Sequence, residues 1–296
     1  MPDPDQQPYI SVRNFTLRNN ERVVLDNINL NIFPGEVVAI VGESGGGKTT
    51  FGRSLDGWTE GGGAWHRVAG EILVRGVDTR NMDPKILVRR VRRLLQDLTI
   101  IPGSIFKNVA IAPKLAFGIR HGMWRQRFAA YLRKQPRPVT PLDMRVEQAL
   151  RWVGLWDAVC NDLSKSAEDL SGGQRQRICL ARTLAYRSPA LILDEATSAL
   201  DAATKLIVLE TLRNLKQVSG QIIILITHDE DFAAALATRV VRFDHGRVVA
   251  DGLPQAVLKN KSTKRGHVQP LQLDLDLPRP DLKQLQFDLP TPAGAR

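Results

Sequence analysis

Residues 37–50 read VVAIVGESGGGKTT. Five apolar residues run unbroken into the pattern G-x-x-x-x-G-K-[ST], here Gly42, Glu43, Ser44, Gly45, Gly46, Gly47, Lys48 and Thr49. An apolar run without alternation suits a strand buried on both faces, as in a parallel sheet. The glycines then let successive backbone N–H groups turn inward, and the following helix adds the positive end of its dipole. Strand, glycine loop, lysine and hydroxyl in this order make a cradle for a chain of phosphates. Lys48 is placed to reach the β- and γ-phosphates. The Thr49 hydroxyl is placed to ligate Mg2+, and Thr50 to hydrogen-bond the α-phosphate.

Two more runs share the first one's character. ALILD (190–194) and IIILIT (222–227) are continuously apolar and end in polar residues. They read as further strands of the same sheet, separated by helical patterns. Asp194 therefore arrives at the sheet's carboxyl edge, where Mg2+ would sit. Glu195 follows it, and a carboxylate there can orient and deprotonate an attacking water. His228 ends the third run at the same edge, within reach of a γ-phosphate. The amino-terminal part follows a different rule. YISVRNFTLR (9–18) and VVLDNINLNI (23–32) alternate as half-exposed strands do, and GEILVRG (70–76) fits a third. They predict an antiparallel β-layer beside the parallel sheet. From about residue 97 to 185 the chain turns helical. In MRVEQALRWVGLW, Val146, Ala149, Leu150 and Val153 fall on one helix face. The fold class is thus α/β: a P-loop NTPase core with an N-terminal antiparallel β-layer and an inserted helical subdomain.

The bulk numbers set the bounds. With 296 residues, 43% of them hydrophobic, the chain can bury a sizeable core. Its formal charge of +10 fits an anionic partner or an ordinary basic surface. The apolar runs fall far short of the roughly 20 residues that a membrane-spanning helix needs. No signal peptide precedes the first strand, so any membrane role is expected to run through a partner. Cys160 and Cys179 lack metal or redox spacing and read as reduced core residues. Residues 1–8 are expected to fray, residues 9–258 to form the domain, and residues 259–296 to be an extended tail. That tail carries a short imperfect repeat, LQLDLDLPRP and LQFDLPTP.

A second glycine signature, LSGGQRQR, stands at 170–177. The phosphate loop, LSGGQ, LILDE, SALD and TH occur in an order that resembles the nucleotide-binding subunits of ATP-binding cassette (ABC) proteins. The resemblance spans residues 9–258 and explains why a chain with one phosphate loop carries another cradle. It implies that two cassettes pair head to tail. Ser171, Gly172, Gly173 and Gln174 of one protomer would then close over the ATP held by its partner's phosphate loop. It further implies ATP and Mg2+ as cofactors, with Glu195, His228 and Gln96 in catalysis and Thr49, Gln96 and Asp194 at the metal. Asp201 would lie at the dimer interface. Gln96 would stand in the loop that contacts a transmembrane permease, placing the subunit on the cytoplasmic face of the inner membrane.

GSIFKNVAIAP and LRWVGLWDAVCNDLSKSAEDLSGGQRQRICLAR are similar, more narrowly, to the ATPase subunits of bacterial phosphate importers. Other importer substrates, and a non-import role, remain alternatives at this stage. Three stretches depart from the family's pattern. Asn19 or Arg18 stands where an aromatic stacks on adenine, leaving Tyr9 and Phe15 as substitutes. The strand leading to Gln96 reads VRRVRRLLQD, with arginines at apolar positions. The basic run at 120–137 suits anionic headgroups, a permease loop or plain solvent. A ribosome- or nucleic-acid-acting ABC protein would carry a second cassette, zinc cysteines or long coiled coils. None is present, so no stable nucleic-acid partner is expected. A regulatory cassette without catalysis conflicts with the intact Lys48, Glu195 and His228.

Overall fold

The computed structural model describes residues 7–60, 64–94, 99–117, 141–186, 188–195 and 200–258. Gln96, the 120–137 basic run and the 259–296 tail lie outside the described residues. The chain opens with β1 (Ile10–Asn19) and β2 (Arg22–Ile32), then β3 (Val37–Gly42) and the phosphate-loop helix α1 (Lys48–Leu55). Strands β4 (Trp65–Val74) and β5 (Val77–Asp78), helix α2 (Pro84–Arg90) and β6 (Val91–Leu94) follow. A helical stretch holds α3 (Ile105–Phe117), α4 (Pro141–Trp152), α5 (Trp156–Val159) and α6 (Gly172–Tyr186). The chain then returns to the sheet through β7 (Ala190–Asp194), α7 (Ala202–Ser219), β8 (Ile222–Ile226) and α8 (Glu230–Leu236). It closes with β9 (Arg239–Asp244), β10 (Arg247–Gly252) and α9 (Pro254–Val257).

The strands form two sheets. An antiparallel layer has the order β2-β1-β4-β5. The central sheet has the order β10-β9-β3-β8-β7-β6 and is parallel except for β10. The three unbroken apolar runs occupy its middle, because each must bury both faces. Side chains on a strand alternate between faces. Val37, Ala39 and Val41, with Leu191, Leu193, Ile223 and Leu225, therefore pack on the helices. Val38 and Ile40, with Ile192, Ile224 and Ile226, pack on α1 and the antiparallel layer. Two cores thus share one sheet, and both hold the same strand ends in place. The predicted helix face is real: Val146, Ala149, Leu150 and Val153 are all fully buried.

The helical part is fixed to the sheet's approach by a buried amide. Asn108 exchanges hydrogen bonds with the backbone of Ile101 (2.9 and 2.8 Å). Arg182 of α6 donates to the Asn108 side chain and carbonyl (2.5 and 2.9 Å) and to the Thr99 carbonyl (3.1 Å). These residues belong to the NVA and RICLAR stretches noted in the sequence.

Several expectations need correction. β4 begins at Trp65, not at residue 70, because it pairs along β1 as far as Asn19. Val88, Arg89 and Arg90 of VRRVRRLLQD belong to α2, capped by Asp83 with Pro84 in its first turn, so the strand proper is only Val91–Leu94. Cys179 is buried as expected, but Cys160 is only partly covered, since it caps the short helix α5. The hairpin β9–β10 was not anticipated at all. Its turn, His245-Gly246, has positive φ at both residues (46° and 75°), as a tight two-residue hairpin requires.

Candidate functional site

Sequence dictates the phosphate loop's shape at its first residue. Gly42 has φ of +143°, and a Cβ there would sit 2.1 Å from the Phe243 carbonyl oxygen. Only glycine fits between β3 and β9 at that point. The loop then turns into α1, whose Phe51 N–H donates to the Gly47 carbonyl (2.8 Å). The hairpin turn braces it from outside: Gly246 N–H donates to the Gly46 carbonyl (3.1 Å), and Asp26 N–H donates to the Gly246 carbonyl (2.9 Å). Lys48 is folded over the loop. Its Nζ donates to the carbonyls of Gly42 (2.8 Å) and Glu43 (2.6 Å). Burial holds its pKa below the ordinary lysine value, against the pull of Glu195 and Asp194.

The parallel register sets Ile40, Ile226 and Asp194 level across β3, β8 and β7. Asp194, the last residue of β7, is fully buried. The Thr49 hydroxyl donates to its Oδ1 at 3.1 Å. Its Oδ2 is buried and accepts no hydrogen bond among the described residues. Desolvation raises the Asp194 pKa, opposed by the Thr49 hydrogen bond and by Arg93. Glu195 leaves the strand with φ of +53°, and its N–H donates to the Ile226 carbonyl (2.9 Å). That turn brings Glu195 Oε2 to 2.8 Å from Nδ1 of His228, whose side chain is 68% exposed. Lys48, Thr49, Asp194, Glu195 and His228 are thus brought to one sheet edge from three strands, as the sequence predicts. This edge, at the carboxyl ends of parallel strands, is where open α/β sheets bind ligands.

The signature lies elsewhere. Ser171 precedes α6 and shares a reciprocal cap with Gln174: Ser171 N–H donates to Gln174 Oε1 (3.0 Å), and Gln174 N–H donates to Ser171 Oγ (3.4 Å). Gly172 and Gly173 are exposed, with open space where a Cβ would stand. No hydrogen bond joins 171–174 to the phosphate loop among the described residues. Asp201 caps α7, accepting from Thr204 N–H (2.8 Å) and Thr204 Oγ1 (3.1 Å). Those bonds hold its carboxyl below the ordinary aspartate range.

Neither substitute aromatic fits a base. Phe15 is fully buried, with Arg67 over its ring, and Tyr9 sits before the opposite end of β1 from Asn19. Sequence reasoning also missed Arg93, which stands beside Asp194, and its partner Asp56. Arg93 of β6 places Nη1 3.9 Å from Asp194 Oδ2, and its Nε donates to Asp56 Oδ2 at 2.7 Å. The arginines are visible in the sequence, but strand periodicity alone does not say which one turns toward β7.

The ABC transporter family model matches residues 25–198. The chain belongs to the ABC transporter family. Among its ABC relatives, the phosphate import ATP-binding protein PstB of Thermotoga maritima is 32% identical over 269 residues, covering 87% of this chain and 96% of that one. The PstB of Staphylococcus saprophyticus is 33% identical over 269 residues, covering 90% and 84%. A solved dimeric ATP-binding cassette in a post-hydrolysis state, bound to ADP and Pi, superposes with TM-score 0.66 at 24% identity, over 83% of this chain and 99% of that one. The last likeness establishes the ABC cassette fold.

Proposed function

We propose that this chain is the ATP-binding and ATP-hydrolysing subunit of a membrane importer, and that the imported solute is phosphate. One observation carries the chemistry: Thr49, Asp194, Glu195 and His228 converge on the phosphate loop's open side, with Lys48 already inside it. The names of the phosphate-import relatives support the solute.

In this reading, residues 42–50 wrap the triphosphate of ATP. The Lys48 ammonium exchanges its loop carbonyls for β- and γ-phosphate oxygens. Thr49 and Asp194 suit Mg2+, a hard cation that keeps several waters and takes few protein ligands. The buried, hydrogen-bond-free Asp194 Oδ2 is a donor of the right kind. When bound, Mg2+ neutralises charge on the β- and γ-phosphates. Glu195 takes the proton of the attacking water. Its backbone is anchored to Ile226 and its carboxylate is held by His228, so the base points one way before substrate arrives. Gln96 would complete the set, as the family resemblance implies.

Two such chains pair so that Ser171, Gly172, Gly173 and Gln174 of each face the other's nucleotide, with Asp201 at the interface. The exposed glycines support this, since among the described residues nothing stands within 4 Å of a Cβ added at either. Residues from about 97 to 185 form the subdomain that meets the transmembrane permease at the cytoplasmic face of the inner membrane. No helix among the described residues is long and apolar enough to cross a membrane.

Glu195→Gln tests the reading. It should bind MgATP as the wild type does and lower kcat by about 10²–10⁴-fold, the usual contribution of a general base. With hydrolysis blocked, ATP should hold a dimer on size exclusion. Wild-type turnover by this variant removes Glu195 from the role of base. Radiolabelled phosphate uptake into vesicles, driven by the co-purified permease and this chain, tests the solute.

A further inference from the structure

We propose that Arg93 is a positioning residue for the metal site: a fixed internal cation that shares Asp194 with Mg2+ and sets how much Mg2+ the nucleotide needs. The inference rests on the metal reading above and adds a residue to it.

A buried arginine is costly unless its charge is matched. The Arg93 side chain is 3% exposed, and Asp56 matches it. Asp56 caps the far end of α1, where its Oδ1 also accepts from Trp58 N–H (3.2 Å), so the carboxylate cannot follow the guanidinium elsewhere. Burial pushes the Asp56 carboxyl up, and Arg93 opposes the rise. The register supplies the rest. Arg93 pairs with Ile192 across β6 and β7, and Asp194 lies two residues on, on the same face. α1 closes the space from above. Gly52 is so near the sheet that a Cβ there would meet Ile226 Cδ1 at 2.6 Å and Arg93 Cδ at 3.8 Å.

The resulting spacing is informative. Nη1 stands 3.9 Å from Asp194 Oδ2, beyond hydrogen-bond range but well within Coulomb reach. Asp56 draws the guanidinium to one side by its Nε and keeps it from closing on Asp194. The Asp194 oxygen therefore keeps its charge balanced while remaining open to a further ligand. A cation so placed opposes a second cation on the same carboxylate. Removing Arg93 should favour Mg2+. Removing the charge on Asp56 should release Arg93 toward Asp194 and disfavour Mg2+.

The two variants therefore move one quantity in opposite directions, which a merely structural role does not do. Binding of a fluorescent ATP analogue to the purified full chain would be titrated with free Mg2+, without reading hydrolysis. Arg93→Met should lower the half-saturating Mg2+ about five- to tenfold, the scale of a unit charge a few ångströms away behind protein. Asp56→Asn should raise it, and the double variant should behave like Arg93→Met. Shifts in the same direction, or none, overturn the proposal. If Arg93→Met does not fold, Asp56→Asn decides alone: a rise supports the proposal, and no change or a fall overturns it. A wild type whose nucleotide binding ignores Mg2+ overturns the metal reading itself, and this inference with it.

Discussion

Gly246→Ala places a methyl group well beyond His228, where the last sequence motif ends, yet it should disturb the phosphate loop. The new Cβ would lie 2.3 Å from the Val24 carbonyl oxygen and 3.0 Å from its carbon. Backbone cannot yield cheaply there, because Val24 and Leu25 belong to β2. Holding alanine at φ of +75° costs roughly 1–2 kcal/mol. Displacing the turn also breaks the bonds from Gly246 N–H to Gly46 and from Asp26 N–H to Gly246, each about 0.5–1.5 kcal/mol. The total is about 2–5 kcal/mol, a large share of the roughly 5–15 kcal/mol that holds a typical domain. Gly76→Ala is the control. It has nearly the same φ, +76°, with nothing within 4 Å of the added carbon. It should cost only the strain, about 1–2 kcal/mol. Urea denaturation reads stability, and calorimetric titration with ATP reads the loop. Gly246→Ala should unfold at distinctly lower urea than Gly76→Ala and bind ATP more weakly, while Gly76→Ala keeps wild-type affinity. Equal midpoints with wild-type ATP binding in both would refute the claim that the hairpin braces the loop.

Two further outcomes follow from the site. Ser171→Arg should leave ATP binding by a single protomer nearly intact and abolish hydrolysis, and mixing it with Lys48→Ala protein should restore at most one working site per dimer in an ATPase assay. Loss of binding in the Ser171→Arg monomer would show that the signature serves its own chain's nucleotide. Asn19→Tyr should lower the KM for ATP and widen its preference over GTP with little change in kcat, since base stacking contributes roughly 1–3 kcal/mol in nucleic-acid systems. An unchanged KM would place the base away from the end of β1.

The parts of this molecule that were legible in the sequence share a physical cause. β3, β7 and β8 are buried on both faces, so their composition betrays them, and the residues that end them inherit a common edge. Gly42 and Lys48 announce themselves because a backbone must pass close to β9 and to phosphate. The β9–β10 hairpin was harder to see. RVVRFD and RVVADG mix charge with β-branched residues, and the turn is His-Gly where Asn-Gly is the usual sign. A search for two alternating runs flanking any glycine turn would have found it. The Arg93 and Asp56 pair was illegible for another reason. Thirty-seven residues separate the partners, and only the order of strands decides that β6 lies beside β7. The cap between Ser171 and Gln174 fits the S-x-x-Q pattern, hidden beneath a motif read for another purpose.

The folded-back lysine bears on how the cassette lets go of its product. Lys48 has two carbonyls of its own loop as resting acceptors, at 2.8 and 2.6 Å. In the proposed reading, nucleotide entry would be a substitution at the ammonium, one set of oxygens for another, at a loop already shaped. The same arrangement runs in reverse after cleavage. As phosphate departs, the ammonium has a landing place a short rotation away, and no bare buried charge is created to hold the diphosphate back. In that reading the two carbonyls would compete with the nucleotide for the same ammonium, and the loop would give up some grip for easier release.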